Sequence, residues 1–208
     1  MAITLYHCPR SRSVRPLWAL EEMGLEYELI TMEFPPRQTY AGYLEINNLG
    51  TVPTLVDGQV TLTESSAMTL YLAEKYGPSS LSVALSVAPS EPDYGLFLNW
   101  LHRSDATLTF PLTLVLRYTQ HEPVERKNPQ IVEDYTKWFF ARLRSVEAAL
   151  VDRDYLCSDR FTLADICVGY SLVFAESLGL AGGFKDRTRD YLERLKGREA
   201  FIRAYAKP

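Results

Sequence analysis

Cysteine is scarce in this chain: three residues (Cys8, Cys157 and Cys167) in 208, an odd count without metal-ligand spacing. That excludes a disulfide framework and fits a reducing compartment. No apolar run approaches the ~20 residues of a membrane span, so no membrane is expected as a partner. Basic charge is not in excess: 22 Lys and Arg against 26 Asp and Glu leave a net charge of −4, which argues against nucleic acid or an anionic surface. The three histidines, His7, His102 and His121, show neither metal spacing nor a triad, so no metal is expected. Repeats and low-complexity segments are absent. The first residues carry no basic n-region and no A-x-A site, so a cytoplasmic location is expected. What remains is ordinary globular material, 47% hydrophobic and 23% charged, long enough for one large or two small domains.

The pattern divides the chain. Residues 3–7 read as a buried strand. Residues 13–23 read as a helix with Leu17, Trp18, Leu20 and Met23 on its apolar face and Gly24 as its stop. A second strand is expected at 27–32, followed by a break at Pro35-Pro36 and a poorly periodic stretch over 40–46. Strands at 54–57 and 59–63 are joined by a tight Asp57-Gly58 hairpin. A helix over 65–76 ends at Gly77-Pro78. The order βαβ-α-ββα is that of a thioredoxin-like domain over 1–77. The Pro- and Ser-rich stretch 78–90 reads as a linker, and 91–208 as an all-helical domain. Within it, 93–118 is one helix bent at Pro111, and 131–150 is strongly amphipathic. Thr162-Leu-Ala-Asp165 is a capping box whose Asp165 has a structural role, flanked by Phe161 and Ile166 as a staple.

Two places carry chemistry. Pro53, at the mouth of a strand, cannot donate to a ladder. A cis bond to it turns the Val52 N–H and C=O outward, able to hold an extended peptide as an added strand. Glu64-Ser65 opens a helix, where backbone N–H groups and the dipole favour a carboxylate. Together they suit a γ-glutamyl tripeptide.

V-P-x-L at Val52 to Leu55, D-G at the hairpin and E-S at a helix start resemble the glutathione site of cytosolic glutathione transferases. The amino-terminal I-T-L-Y-H-C-P-R-S-R-S is similar to that family's first strand and catalytic turn, and the likeness spans nearly the whole chain. It points to serine-type bacterial members, theta- or delta-like or of no assigned class. The resemblance implies an α/β thioredoxin-like domain plus an all-α domain, a cytoplasmic homodimer, glutathione as co-substrate, and conjugation to a small apolar electrophile in detoxification. It places Ser11 where serine-type classes carry their catalytic hydroxyl, and Ser13 where some bacterial members have a serine. Simple helix capping explains Ser13 better. For glutathione it marks Val52, Pro53, Glu64 and Ser65, with Gln38 and Arg37 within reach of the glycyl carboxylate. Asp105 is offered to a partner subunit's γ-glutamyl ammonium. Trp100, Phe110 and Leu114 are candidate walls of an electrophile pocket, although aromatics at helical spacing are more often core. Arg10, Arg12 and Arg15 form a cationic rim.

A second chemistry competes at the same turn. Cys8-Pro-Arg-Ser11 is a C-x-x-S motif placed where glutaredoxin-like proteins and cysteine-type transferases carry a nucleophile. An exposed Cys8 of depressed pKa would make the enzyme a thiol transferase or a thioether lyase; otherwise Cys8 is an inert filler. A non-catalytic interaction module of the same fold is the remaining alternative.

Overall fold

The computed structural model describes residues 3–77 and 84–208, so part of the expected 78–90 linker lies outside the described residues. β1 (Ile3–His7) buries alternate residues. That strand periodicity turns Ile3, Leu5 and His7 inward together. β1 stands inside a four-stranded sheet of order β2-β1-β3-β4. β2 (Tyr27–Thr31) pairs with it in parallel, and that pairing needs the crossover supplied by α1 (Val14–Met23). β3 (Thr54–Asp57) and β4 (Val60–Leu62) complete the sheet antiparallel, with Leu5 opposite Leu55 at the centre. The Asp57 carboxylate ties the hairpin to the end of α4 (Ser65–Tyr76), accepting from Lys75 Nζ at 2.6 Å, Tyr76 at 2.7 Å and Tyr71 at 2.8 Å. Burial raises this carboxyl, but the three donors prevail and hold it below its ordinary range.

α1 is buried without interruption from Val14 to Leu20, so it is a core helix and not a half-exposed one. Gly24 ends it at φ +62, where its N–H returns to Glu21 and Leu20 carbonyls. The stretch read as irregular holds two short helices, α2 (Pro36–Thr39) and α3 (Tyr43–Ile46). Pro36 favours a first helical position, and Gly42 at φ +77 supplies the corner between them.

The chain forms two compact units: Met1–Ser86 with Lys196–Pro208, and Val87–Leu195. The last helix therefore belongs with the first unit, whereas the sequence pattern joined it to the helices before it. In that unit α10 (Glu199–Tyr205) sets Phe201 edge-on against Trp18 at 4.9 Å. Arg198 grips Glu22 with two bonds of 2.6 and 2.8 Å, and Arg203 reaches Glu21 at 2.8 Å.

In the second unit, α5 (Tyr94–Arg103) and α6 (Phe110–Leu116) belong to one helical run. A π-helical turn over Ser104–Thr109 separates them, and another over Arg117–His121 follows. Pro111 stands at the second position of α6, directly after the first of these turns. Phe110 N–H bonds the Asp105 carbonyl, and the Thr109 hydroxyl donates to the Ser104 carbonyl at 2.7 Å. α7 (Pro129–Ala149) is capped by the Asn128 side chain. α8 (Leu163–Ser177) is buried on all sides from Leu163 to Ala175 and forms the unit's axis; α9 (Asp186–Lys196) follows. Asp165 completes the capping box, taking the Thr162 N–H at 2.8 Å, and also accepts from Leu156 N–H at 3.0 Å and Tyr191 OH at 2.7 Å. No described helix is long and apolar enough to cross a membrane.

Candidate functional site

The chain leaves β1 through a tight turn. Pro9 and Arg10 occupy its corner, Ser11 N–H closes onto the Cys8 carbonyl at 3.2 Å, and Arg10 sits at φ +62. A non-glycine residue there is uncommon and marks a constrained turn. The turn delivers three side chains to the start of α1. Ser13 Oγ is fully buried and does not cap the helix. It lies 2.7 Å from His7 Nδ1 and 2.7 Å from Ser11 Oγ, donates to the Cys8 carbonyl at 3.0 Å, and is met by the Cys8 N–H at 3.3 Å. Ser11 is half-buried and accepts the Ser13 N–H at 3.2 Å. Burial pushes His7 down to about 4, so its imidazole is neutral.

Cys8 is only 1% exposed. Its neighbours Met32, Tyr43, Tyr6, Ile30 and Val52 are apolar or aromatic, and burial pushes its thiol up to about 11. These are the surroundings of a filler, not of a thiolate nucleophile.

The loop before β3 is held by its own polar groups. Tyr43 OH donates to the Thr51 carbonyl at 2.6 Å and meets Thr54 Oγ1 at 2.8 Å. Asn47 Nδ2 donates to the same two oxygens at 2.9 and 3.0 Å. The Val52-Pro53 peptide is cis, as is Phe34-Pro35. The sheet ladder starts at the Tyr6–Thr54 pair, so Val52 lies outside it. Glu64 is the exposed N-cap of α4, and Ser65 is buried at its first turn. The Ser65 hydroxyl accepts from Arg15 Nη1 at 3.0 Å. Arg15 is fully buried and does not belong to a solvated rim. Gln38 is exposed in α2, as is Arg37.

The remaining candidates stand in the second unit. Trp100 is 2% exposed, with Nε1 unpartnered and the Arg103 guanidinium 5.2 Å from its ring centre; it is core. Phe110 is exposed and sits edge-on to Tyr135, which stacks on Trp138 at 5.2 Å. Leu114 and Asp105 are half-buried.

Sequence reasoning passed over His7 as a partner of Ser13 and misjudged Arg15. Both had a signal. His7 shares the inward parity of Ile3 and Leu5, and Arg15 stands beside Val14 with no polar residue between it and Glu21.

Residues 1–74 match the family model described as glutathione S-transferase, N-terminal domain. The chain is 30% identical to glutathione S-transferase 2 of Schizosaccharomyces pombe, over 98% of this chain and 87% of that one. It is similar to the crystal structure of a glutathione transferase from Methylococcus capsulatus, with 25% identity, a TM-score of 0.85, and 98% and 97% of the two chains covered. A glutathione transferase of Phanerochaete chrysosporium, solved with oxidised glutathione, is similar at 25% identity and a TM-score of 0.85, covering 98% and 94%.

Proposed function

The chain belongs to the glutathione S-transferase family, and from that premise we propose that it uses Ser11 to hold glutathione as its thiolate for attack on a small apolar electrophile. The observation that carries this reading is the contrast within one turn. Ser11 is only half-buried at the turn into α1, whereas Ser13 and Cys8 are buried beside it. A thiol of ordinary pKa ~8.5 needs ~2.7 kcal/mol of preferential anion stabilisation to fall by ~2 units. A hydroxyl donor at a helix N-terminus contributes toward that by a hydrogen bond and by the dipole. The sulfur then forms a bond to carbon, and the displaced group leaves with its electron pair.

Glutathione is oriented, in this reading, by the Val52 backbone beside Pro53, by Ser65 at the start of α4 for the γ-glutamyl carboxylate, and by Glu64 for the ammonium. The buried Arg15 behind Ser65 supports an anion there. Gln38 serves the glycyl carboxylate. A homodimer in which Asp105 of one subunit meets the other's glutathione completes the proposal, as does a cytoplasmic location. Phe110 and Leu114, which retain apolar surface, are the candidates for receiving the electrophile.

The test is Ser11→Ala assayed with glutathione and a chromogenic aryl halide. The expected loss in kcat/KM is about a hundredfold or more, as for removal of one aimed donor. An unchanged rate, or turnover abolished by Cys8→Ala with a mixed disulfide trapped at Cys8, would reverse the assignment in favour of thiol transfer.

A further inference from the structure

We infer that His7 is a positioning residue for this reaction: acting through Ser13, it decides whether the Ser11 hydroxyl presents its proton outward or turns it into the protein. This inference rests on the reading that Ser11 meets the sulfur.

Protons and lone pairs at one buried oxygen decide the direction. Ser13 Oγ has one proton and two lone pairs. Four groups lie within reach of it: His7 Nδ1 at 2.7 Å, Ser11 Oγ at 2.7 Å, the Cys8 carbonyl at 3.0 Å and the Cys8 N–H at 3.3 Å. The Cys8 N–H can only donate, so it fills one lone pair. Everything else follows from which nitrogen of the neutral His7 ring carries the proton.

With the proton on Nδ1, the imidazole donates to Ser13 and fills the second lone pair. Ser11 then has no inward acceptor at Ser13. Its oxygen accepts the Ser13 N–H at 3.2 Å, and its own proton is left to point away from Ser13. With the proton on Nε2, Nδ1 becomes an acceptor and takes the single proton of Ser13. The free lone pair of Ser13 then draws the Ser11 proton inward, and an approaching sulfur meets lone pairs. Only the first arrangement lets Ser11 donate to a thiolate, so the active form of the turn is the Nδ1–H tautomer. The low pKa of His7 agrees with a ring that is neutral at physiological pH and differs only in tautomer. A donor aimed in advance costs no reorganisation when the anion forms.

The experiment measures the thiol pKa of bound glutathione, from thiolate absorbance against pH, in the intact protein and in variants. Ser11→Ala should raise it. His7→Leu leaves the second Ser13 lone pair open to the Ser11 proton, so it should raise the pKa nearly as far, lowering the thiolate fraction at neutral pH about tenfold. His7→Asn, which keeps an amide donor near the Nδ1 position, should restore most of the loss. Adding Ser13→Ala to His7→Leu removes the oxygen that attracts the Ser11 proton, so the double variant should be better than His7→Leu alone. A merely structural role for His7 does not produce that reversal. Nitrogen-15 shifts of histidine in the unmutated protein with glutathione bound report the tautomer without any substitution, and Nδ1–H is expected for His7. Two results overturn the inference: an Nε2–H tautomer, or an unchanged thiol pKa in folded His7→Leu while Ser11→Ala raises it. If Ser11→Ala leaves the thiol pKa unchanged, the reading of Ser11 itself fails, and the inference falls with it.

Discussion

Arg15 donates a hydrogen bond of 3.0 Å to the hydroxyl of Ser65, joining the first turns of α1 and α4 by two buried side chains. The guanidinium thus lies behind the helix start proposed to receive the γ-glutamyl carboxylate. Lysine carries the charge but not the planar fork, so the exchange is not conservative. Arg15→Lys should weaken glutathione binding about tenfold, and Ser65→Ala by a comparable factor, since a bond to a charged group contributes about 1.5–3 kcal/mol. Calorimetric titration with glutathione checks both. Unchanged Kd values would remove these two residues from the binding site.

Cys8 should behave as core. All three cysteines are buried, and burial pushes the Cys8 thiol up to about 11. Cys8→Ala is expected to cost about 1–2 kcal/mol of stability and leave conjugation largely intact. A disulfide reagent added to the native protein should label Cys8 only at the rate of unfolding. Rapid stoichiometric labelling at neutral pH would contradict this placement.

His7 predicts an acid limb in stability. Its folded pKa of about 4 lies below the ordinary 6.5, so the unfolded chain takes up the proton first as pH falls. Stability is full above pH 6.5 and is lost progressively down to about 4, by about 3 kcal/mol for a gap of this size. Asp165 acts in the opposite sense. Burial pushes its carboxyl up to about 6, so its effect is a loss of stability as pH rises from about 3.8 to 6. The two overlap, and the His7 share is read from the difference between the unmutated protein and His7→Leu in denaturant titrations between pH 4 and 7. Parallel pH curves for the two would show that His7 does not titrate in this way.

Asp165 holds three separate parts of the second unit: the cap of α8, the Leu156 backbone and the Tyr191 hydroxyl. Loss of a cap alone costs ~1 kcal/mol. Asp165→Ala also strands two buried donors, so the expected loss is about 3 kcal/mol or more. Thermal unfolding measures it, and a shift of under a degree or two would show that water or neighbours replace the carboxylate.

What the sequence made legible was local. The D-G hairpin, the alternation of β1, Gly24 as a helix stop and the T-x-x-D box each involve residues close in the chain. What it hid was set by distant partners. Arg15 reads as a surface residue unless Ser65 is known to lie beside it. The widened turns around Thr109 depend on Ser171, whose hydroxyl donates to the Ser104 carbonyl at 3.0 Å. The short helices over residues 36–46 are fixed by Tyr43 and Asn47 reaching across to the loop before β3. At the turn after β1, position picked out Ser11 and Cys8, but only burial separates the half-buried serine from the sequestered thiol.

The return of α10 to α1 sets an order of events during synthesis. The helix that positions Ser11 and Ser13 is made early, yet Trp18, Glu21 and Glu22 on it find Phe201, Arg203 and Arg198 only after the entire second unit has left the ribosome. Until then Trp18 lacks the ring of Phe201, and Glu21 and Glu22 lack their arginine partners. A fragment cut at residue 77 would carry every group proposed to hold glutathione except Asp105, and it would lack the helix that packs on Trp18.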